Sequence, residues 1–284
     1  MIQLESVGFV YDGQEGPALD GVSFASGPGR LVCATGAECS GKTTLFRLLN
    51  GTAPRVFPGT FSGSIRVDGS DPTERGHAEI GAIITSVFDD PDSQIISLTV
   101  EEEVAFALVQ RGLEFDEIAR RVSDALARVG LAGFERRHTA SLSGGQKQRL
   151  VMASAVALRP RILLVDEGTS ALDPEGARRF FSIVDDMRAR DGTTAVVIER
   201  DLDLMLEFAD EILVFARGRL AFRGSPAEAC QKPSLLRDAG LRLPAWLELA
   251  DELRERGLLE GSLPSSEAEA VAAIGELVPA GAAR

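Results

Sequence analysis

Two short runs carry residue types suited to phosphate chemistry. GAECSGKT at 36–43 fits the pattern G-x-x-x-x-G-K-[ST], directly after the apolar run LVCAT at 31–35 and opening the helical pattern of Leu45, Leu48 and Leu49. At such a strand-to-helix turn Gly36 and Gly41 let backbone N–H groups converge on a polyphosphate, Lys42 adds a point charge, and the Thr43 hydroxyl can hold Mg²⁺. ILLVDE at 162–167 supplies the complementary part: an apolar strand that delivers Asp166 and Glu167 at its C-terminal end, the edge where α/β sheets bind ligands. Asp166 suits a Mg²⁺ site reached through water, and Glu167 suits a group that polarises an attacking water. Each run alone has a bland reading, a Gly-Lys turn or a pair of solvated strand-end acids; together they point to a phosphate site.

LSGGQKQR at 142–149 adds a Ser-Gly-Gly turn at the start of a helix, a second place where an anion can sit, 20 residues before Asp166. In that position it resembles the signature turn of the ATP-binding cassette family. ALDP at 171–174 is similar to the cassette loop after the second acidic motif, and Tyr11 sits where the family stacks an aromatic ring on adenine. The resemblance implies an α/β fold of the P-loop NTPase, cassette type: a mostly parallel sheet with an N-terminal antiparallel β subdomain, a helical insert and a short helical C-terminal extension. It implies that ATP is contacted by Tyr11, Gly36, Ala37, Glu38, Cys39, Ser40, Gly41, Lys42, Thr43 and Thr44. Leu142, Ser143, Gly144, Gly145 and Gln146 would contact ATP held on another subunit, with Asp173 in the loop between the two. Mg²⁺ would fall to Thr43, Asp166 and Asp89, and the chemistry at the γ-phosphate to Glu167, Arg200 and Asp89.

Three further stretches narrow the resemblance. VFDDPDSQ at 87–94, TVEEEVAF at 99–106 and LRLPAWLELADELRERG at 241–257 look like the ATPases of energy-coupling factor importers. Those importers take up vitamins or cobalt and nickel. The family implies a second cassette subunit, a transmembrane coupling protein and a small membrane protein that binds the substrate, with the ATPase at the cytoplasmic face of the membrane.

The pattern is broken at the γ-phosphate. Asp89 stands where the family has a glutamine, and Glu199-Arg200-Asp201 replaces a turn that carries a histidine. A carboxylate repels phosphate unless a cation neutralises it, and arginine only donates where histidine could also accept. Glu38 puts a further acid into the phosphate loop, and Gly168 replaces the usual proline after Glu167. The phosphate-loop half is thus altered while the signature half is intact, which points to a heterodimer with a different cassette. A weakly hydrolysing subunit that completes its partner's site is the alternative. Asp89 and Arg200 are also expected to pair with each other when no nucleotide is bound.

Elements must hold these residues in place. Ile2, Leu4, Val7 and Phe9, then Leu19, Val22 and Phe24, read as half-buried strands, whereas LVCAT, IGAII at 80–84, ILLV at 162–165, AVVI at 195–198 and EILVFA at 211–216 read as parallel strands buried on both faces. Helical patterns alternate with them: one ends at Asn50-Gly51, and one with Phe180, Ile183, Val184 and Met187 begins after Pro174. From about 92 to 160 the periodicity is helical throughout, with Val104, Ala107 and Leu108, then Ile118, Val122, Ala125 and Val129. This insert, with Val104, Phe106 and Leu108, is the expected surface for the membrane partner. The cassette is read as 1–230 and a helical extension as 231–284. In the extension Trp246, Leu249, Ala250 and Leu253 form one apolar face, expected to meet the partner cassette, and Ser266 with Glu269 caps a helix of Val271, Ile274 and Leu277.

Composition sets the bounds. The 284 residues are 44% hydrophobic and 26% charged, an ordinary globular make-up, and the net charge of −13 argues against a nucleic-acid binder held by phosphate contacts. No apolar run approaches the roughly 20 residues of a membrane helix and no signal peptide is evident, so a cytoplasmic chain is expected. Cys33, Cys39 and Cys230 show no paired spacing, so they read as free thiols. A cassette protein of DNA repair or translation is disfavoured by the single cassette and the acidic charge, and a small-molecule P-loop kinase has no use for LSGGQ.

Overall fold

Hydrophobic runs without alternation become central strands because helices or a second sheet cover both of their faces. In the computed structural model, which describes residues 1–170 and 172–275 and His77 through its backbone only, this holds for four of the five expected runs. Ala171 of the ALDP loop, Leu277 and the PAGAAR end lie outside the described residues.

Strands β1 (Ile2–Tyr11), β2 (Leu19–Ser26) and β3 (Leu31–Thr35) lead into α1 (Lys42–Leu49), followed by β4 (Gly59–Val67), α2 (His77–Gly81) and β5 (Ile84–Val87). The insert supplies α3 (Val100–Gln110), α4 (Phe115–Arg128) and α5 (Gly144–Leu158). Next come β6 (Ile162–Asp166), α6 (Pro174–Asp191), β7 (Thr194–Ile198), α7 (Leu202–Phe208), β8 (Glu211–Ala216) and β9 (Arg219–Gly224). Helix α8 (Pro226–Cys230) ends the cassette stretch, and the extension contributes α9 (Pro233–Asp238), α10 (Ala245–Glu255) and α11 (Glu267–Gly275).

The large sheet has the order β5-β6-β7-β3-β8-β9, parallel except for the antiparallel edge pair β8 and β9; a separate antiparallel sheet has the order β2-β1-β4. Successive residues of a strand point to opposite faces. Val32, Ala34, Leu164, Val196 and Leu213 therefore enter the core beneath α1 and the antiparallel sheet, while Leu31, Cys33, Leu163, Val165 and Val197 enter the core built with α3 to α6. This second core also takes Ala229, Cys230, Leu236, Leu247, Ala250 and Leu263, so the extension packs onto the chain's own body. Because β5, β6, β7 and β3 run parallel, the loops leaving their C-terminal ends open on one edge.

Some elements differ from the sequence reading. IGAII at 80–84 is not one strand: Ile80 and Gly81 close α2, and β5 starts only at Ile84. Strands β4 and β9 were not foreseen. The buried face of α10 is Leu247, Ala250 and Asp251, one position away from the expected face; Trp246 and Leu253 are half-buried and Leu249 is exposed. Asp251 explains the rotation, since its buried carboxylate accepts from Arg237 at 2.8 Å and from Arg254 at 2.7 Å. At α11 the Ser266 hydroxyl accepts from the Glu269 N–H at 3.2 Å, but the Glu269 carboxylate turns to Ser265 instead. Val104 and Leu108 belong to the core, leaving Phe106 exposed.

Candidate active site

The phosphate loop joins the central strand β3 to α1, so its conformation is fixed from both ends. Gly36 has φ of 139°, and a Cβ there would stand 2.1 Å from the Phe215 carbonyl of β8. No other residue fits this approach. Lys42 is buried, and its Nζ donates to the carbonyls of Gly36 and Ala37, each at 2.7 Å, and to Ser40 Oγ at 3.3 Å. The ammonium thus props the loop from inside. Burial, and after it the Arg200 guanidinium, lowers the Lys42 pKa against the pull of Glu167 and Asp166.

Beside the loop lies a cleft of about 440 Å³ lined by Tyr11, Gln14, Cys39, Lys42, Thr43 and Arg47, among others. Tyr11 is held rather than free: its hydroxyl meets Thr44 Oγ1 at 3.1 Å and accepts from Arg47 at 3.1 Å. Arg47 in turn lies 3.8 Å above the Phe57 ring. Of the three free thiols only Cys39, in this cleft, is exposed; Cys33 and Cys230 are buried, and burial pushes both of their pKa values up.

A second cleft, of about 530 Å³, shares Thr43 and Arg47 with the first and is lined by Asp89, Asp166, Glu167 and Arg200. The parallel strands bring these four together: Asp89 follows β5, Asp166 and Glu167 end β6, and Arg200 follows β7. Burial, then the neighbouring Glu167 and Asp89, raise the Asp166 carboxyl to about 6, with Lys42 and Arg47 acting against them. The expected pair of Asp89 with Arg200 does not form. Arg200 Nε donates to Glu167 at 2.8 Å, and another of its nitrogens donates to Glu38 at 3.1 Å. Strand order gives the reason: with β6 between β5 and β7, the backbones that carry Asp89 and Arg200 are about 10 Å apart, and Glu167 lies between them.

Two residues that the sequence reading left without a role here hold the edge together. Glu199 is buried; one carboxylate oxygen accepts from the N–H groups of Arg200 at 2.7 Å and Asp201 at 3.0 Å, and the other accepts from the Thr169 hydroxyl. Gln94 accepts from the Phe88 N–H at 2.8 Å and donates to the Ser86 carbonyl at 3.1 Å, closing the loop that carries Asp89. Gly168 has no room for a side chain, since a Cβ would lie 2.6 Å from Val165 Cγ1 and 2.9 Å from the Phe180 ring. The missing proline is therefore matched by local packing.

The signature turn opens elsewhere. Ser143 caps α5: its hydroxyl accepts from the Gln146 N–H at 3.4 Å, and Gln146 accepts in return from the Ser143 N–H at 3.0 Å. Leu142 is buried and anchors the turn. Ser143, Gly145 and Gln146 line a cleft of about 520 Å³ with Arg149, Asp173 and Arg179, and none of its lining residues belongs to the phosphate clefts. Asp173 caps α6 by accepting from the Gly176 N–H at 2.7 Å. Lys147 reaches back to Asp92 at 2.5 Å, tying the signature helix to the loop of Asp89.

A phosphate loop on a central strand, joined to a helical insert whose last helix opens on a separate anion site, is the arrangement of a cassette-type ATPase. The ABC transporter profile matches residues 19–170. The energy-coupling factor transporter ATP-binding protein EcfA1 of Streptococcus thermophilus is 38% identical over 270 residues, 94% of this chain and 96% of that protein. The EcfA1 protein of Enterococcus faecalis is 38% identical over 260 residues, 91% of each. Among solved structures, cbiO1 from Clostridium perfringens, described as part of the ABC transporter complex cbiONQ, aligns with a TM-score of 0.75 at 30% identity, covering 88% of this chain and 98% of that one. A dimeric ATP-binding cassette bound to ADP and Pi in a post-hydrolysis state aligns with a TM-score of 0.70 at 26% identity, covering 79% and 98%. The chain belongs to the ABC transporter family, as an ATP-binding subunit of the energy-coupling factor type.

Proposed function

We propose that this subunit closes against a second cassette around ATP and passes the closure to a transmembrane coupling protein at the cytoplasmic face of the membrane, driving uptake of a vitamin or metal ion captured by a small membrane protein. The observation that carries this reading is the separation of the two half-sites. One chain offers a phosphate face and a signature face with no shared lining residue, so a full site needs a second subunit. The dimeric relative supports that assembly.

Within the site, loop N–H groups and Lys42 hold the phosphates, Tyr11 flanks the base, and Glu167 takes a proton from the water that attacks the γ-phosphate. Thr43 and Asp166, with Asp89 beside them, are hard oxygen donors facing a surplus of negative charge, so they fit Mg²⁺. Among the described residues no cluster of three or more His, Cys, Asp or Glu could hold a metal by itself, so phosphate oxygens would complete the shell. Bound there, Mg²⁺ would supply charge neutralisation of the phosphates.

The coupling surface is supported by exposed apolar side chains on the segment that follows the Asp89 loop: Ile96, Leu98, Phe106, Val109 and Phe115. Glu103 fixes that loop by accepting from the N–H groups of Ile96 at 3.0 Å and Ser97 at 2.8 Å. Among the described residues no helix is long and apolar enough to cross a membrane, so attachment would run through this surface. The extension from 231 would add contacts to the second cassette, through exposed Leu249 and Leu258.

Retrieving the tagged chain from membranes in detergent tests the reading; Leu98→Glu together with Phe106→Glu should release a multi-span protein while ATP binding persists. Loss of ATP binding alongside, or no effect on retrieval, contradicts it. A second reading is favoured by one contact. Arg200 occupies Glu167, so this subunit would hydrolyse slowly and mainly complete its partner's site. Single-turnover rates with each subunit's glutamate replaced in turn separate the two.

A further inference from the structure

Glu38 puts an acid into the phosphate loop, where its charge opposes that of a polyphosphate. The structure gives it a partner. Arg200 is strung between two carboxylates from different elements, Glu167 at the end of β6 at 2.8 Å and Glu38 in the loop at 3.1 Å. Glu167 is the more buried anchor, with 25% of its side chain exposed against 77% for Glu38, so the guanidinium spans the mouth of the cleft from its floor to its rim. It also lies close enough to Lys42 to lower that residue's pKa.

We propose that Glu38 is a positioning residue that makes Arg200 a latch on Glu167, opened by a third phosphate and not by a second. The inference rests on reading the chain as an ATP-binding cassette. A guanidinium has five donors and binds phosphate oxygens in bidentate fashion, so a phosphate arriving between Lys42 and Glu167 competes directly for Arg200. A diphosphate held by the loop and Lys42 ends one phosphate short of Arg200 and leaves the latch shut. While the latch is shut, Glu167 is held in an ion pair, with its Oε1 committed to Arg200. Glu38 sets how much of the binding of the third phosphate is used to open it.

Equilibrium binding to the full chain, with Mg²⁺, tests this using ADP and the β,γ-imido analogue of ATP. Glu38→Gln should tighten the triphosphate about fivefold, the size of one partly exposed charge-assisted contact, and ADP less than about twofold. In an Arg200→Gln background the same Glu38→Gln change should move the ratio of the two affinities less than about twofold. A ratio unchanged by Glu38→Gln, or changed equally in both backgrounds, overturns the latch and leaves the cassette reading standing, because a carboxylate that merely repels phosphate acts without Arg200. If the wild-type chain binds neither nucleotide, the cassette reading fails and the latch with it. Thermal melts of all variants check folding, and the exposure of Glu38 predicts that its substitution leaves them unchanged.

Discussion

At the residue scale the site combines crowding of negative charge with a few well-anchored cations. Asp166 bears most of that crowding, its carboxyl held near 6 by burial, Glu167 and Asp89. An unfolded aspartate titrates near 4, so the folded chain holds the extra proton between about pH 4 and 6, and this stabilisation is lost as pH rises through about 6. Asp166→Asn should therefore stabilise the nucleotide-free chain by about 1 kcal/mol at pH 8, allowing for solvent screening, and by close to nothing below about pH 4. Urea midpoints at the two pH values check this, and an equal gain at both would contradict it. Glu167→Gln should slow turnover by about a hundredfold or more while keeping ATP binding, measured by phosphate release and by calorimetry. The phosphate loop and the Asp-Glu pair were legible in the sequence because spacing and flanking strands are local signals. The partner of Arg200 was not, because it depends on β6 lying between β5 and β7, and neither was the anchoring by Glu199, whose burial no local pattern reveals.

At the element scale the strands that build the binding edge were legible where hydrophobicity ran unbroken, as in LVCAT, AVVI and EILVFA, each covered on both faces. IGAII failed because its apolar residues serve two elements: Ile80 is buried from α2 and Ile84 from β5. In α10 an apolar count misplaced the face, since a buried Asp251 paired with two arginines holds the position an apolar residue was assumed to take. The extension itself reaches the nucleotide site. A Cβ at Gly240 would stand 3.0 Å from the Ala37 Cβ in the phosphate loop, and Trp246 of α10 lies beside Asp203 of α7, next to the Arg200 turn. Gly240→Val should then weaken ATP binding about threefold or more, on top of a cost of about 1 kcal/mol for its positive φ. Unchanged affinity measured by calorimetry would show that the loop moves aside freely. Leu247→Ala should cost about 3 kcal/mol in urea unfolding because Leu247 is fully buried in the shared core. A cost below about 1 kcal/mol would mean that the extension is only loosely seated.

At the scale of the whole molecule the phosphate face and the signature face of the chain open on separate clefts with no shared lining residue, and Lys147 with Asp92 links the signature helix to the phosphate edge. The sequence showed both halves; that they open on separate clefts emerged only from the placement of the insert. Gly144 allows the decisive measurement. It is the first residue of α5, a Cβ there meets nothing within 4 Å, and an acid suits the first turn of a helix, so Gly144→Asp keeps the fold while placing a negative charge on the signature face. The measurement is Mg²⁺-ATP turnover by the complex retrieved from membranes through this chain, wild type against Gly144→Asp, with melting temperatures as a control. The composite-site account predicts a fall of about tenfold or more with an unchanged melt, although residue 144 lines neither phosphate cleft. Turnover equal to wild type would contradict it.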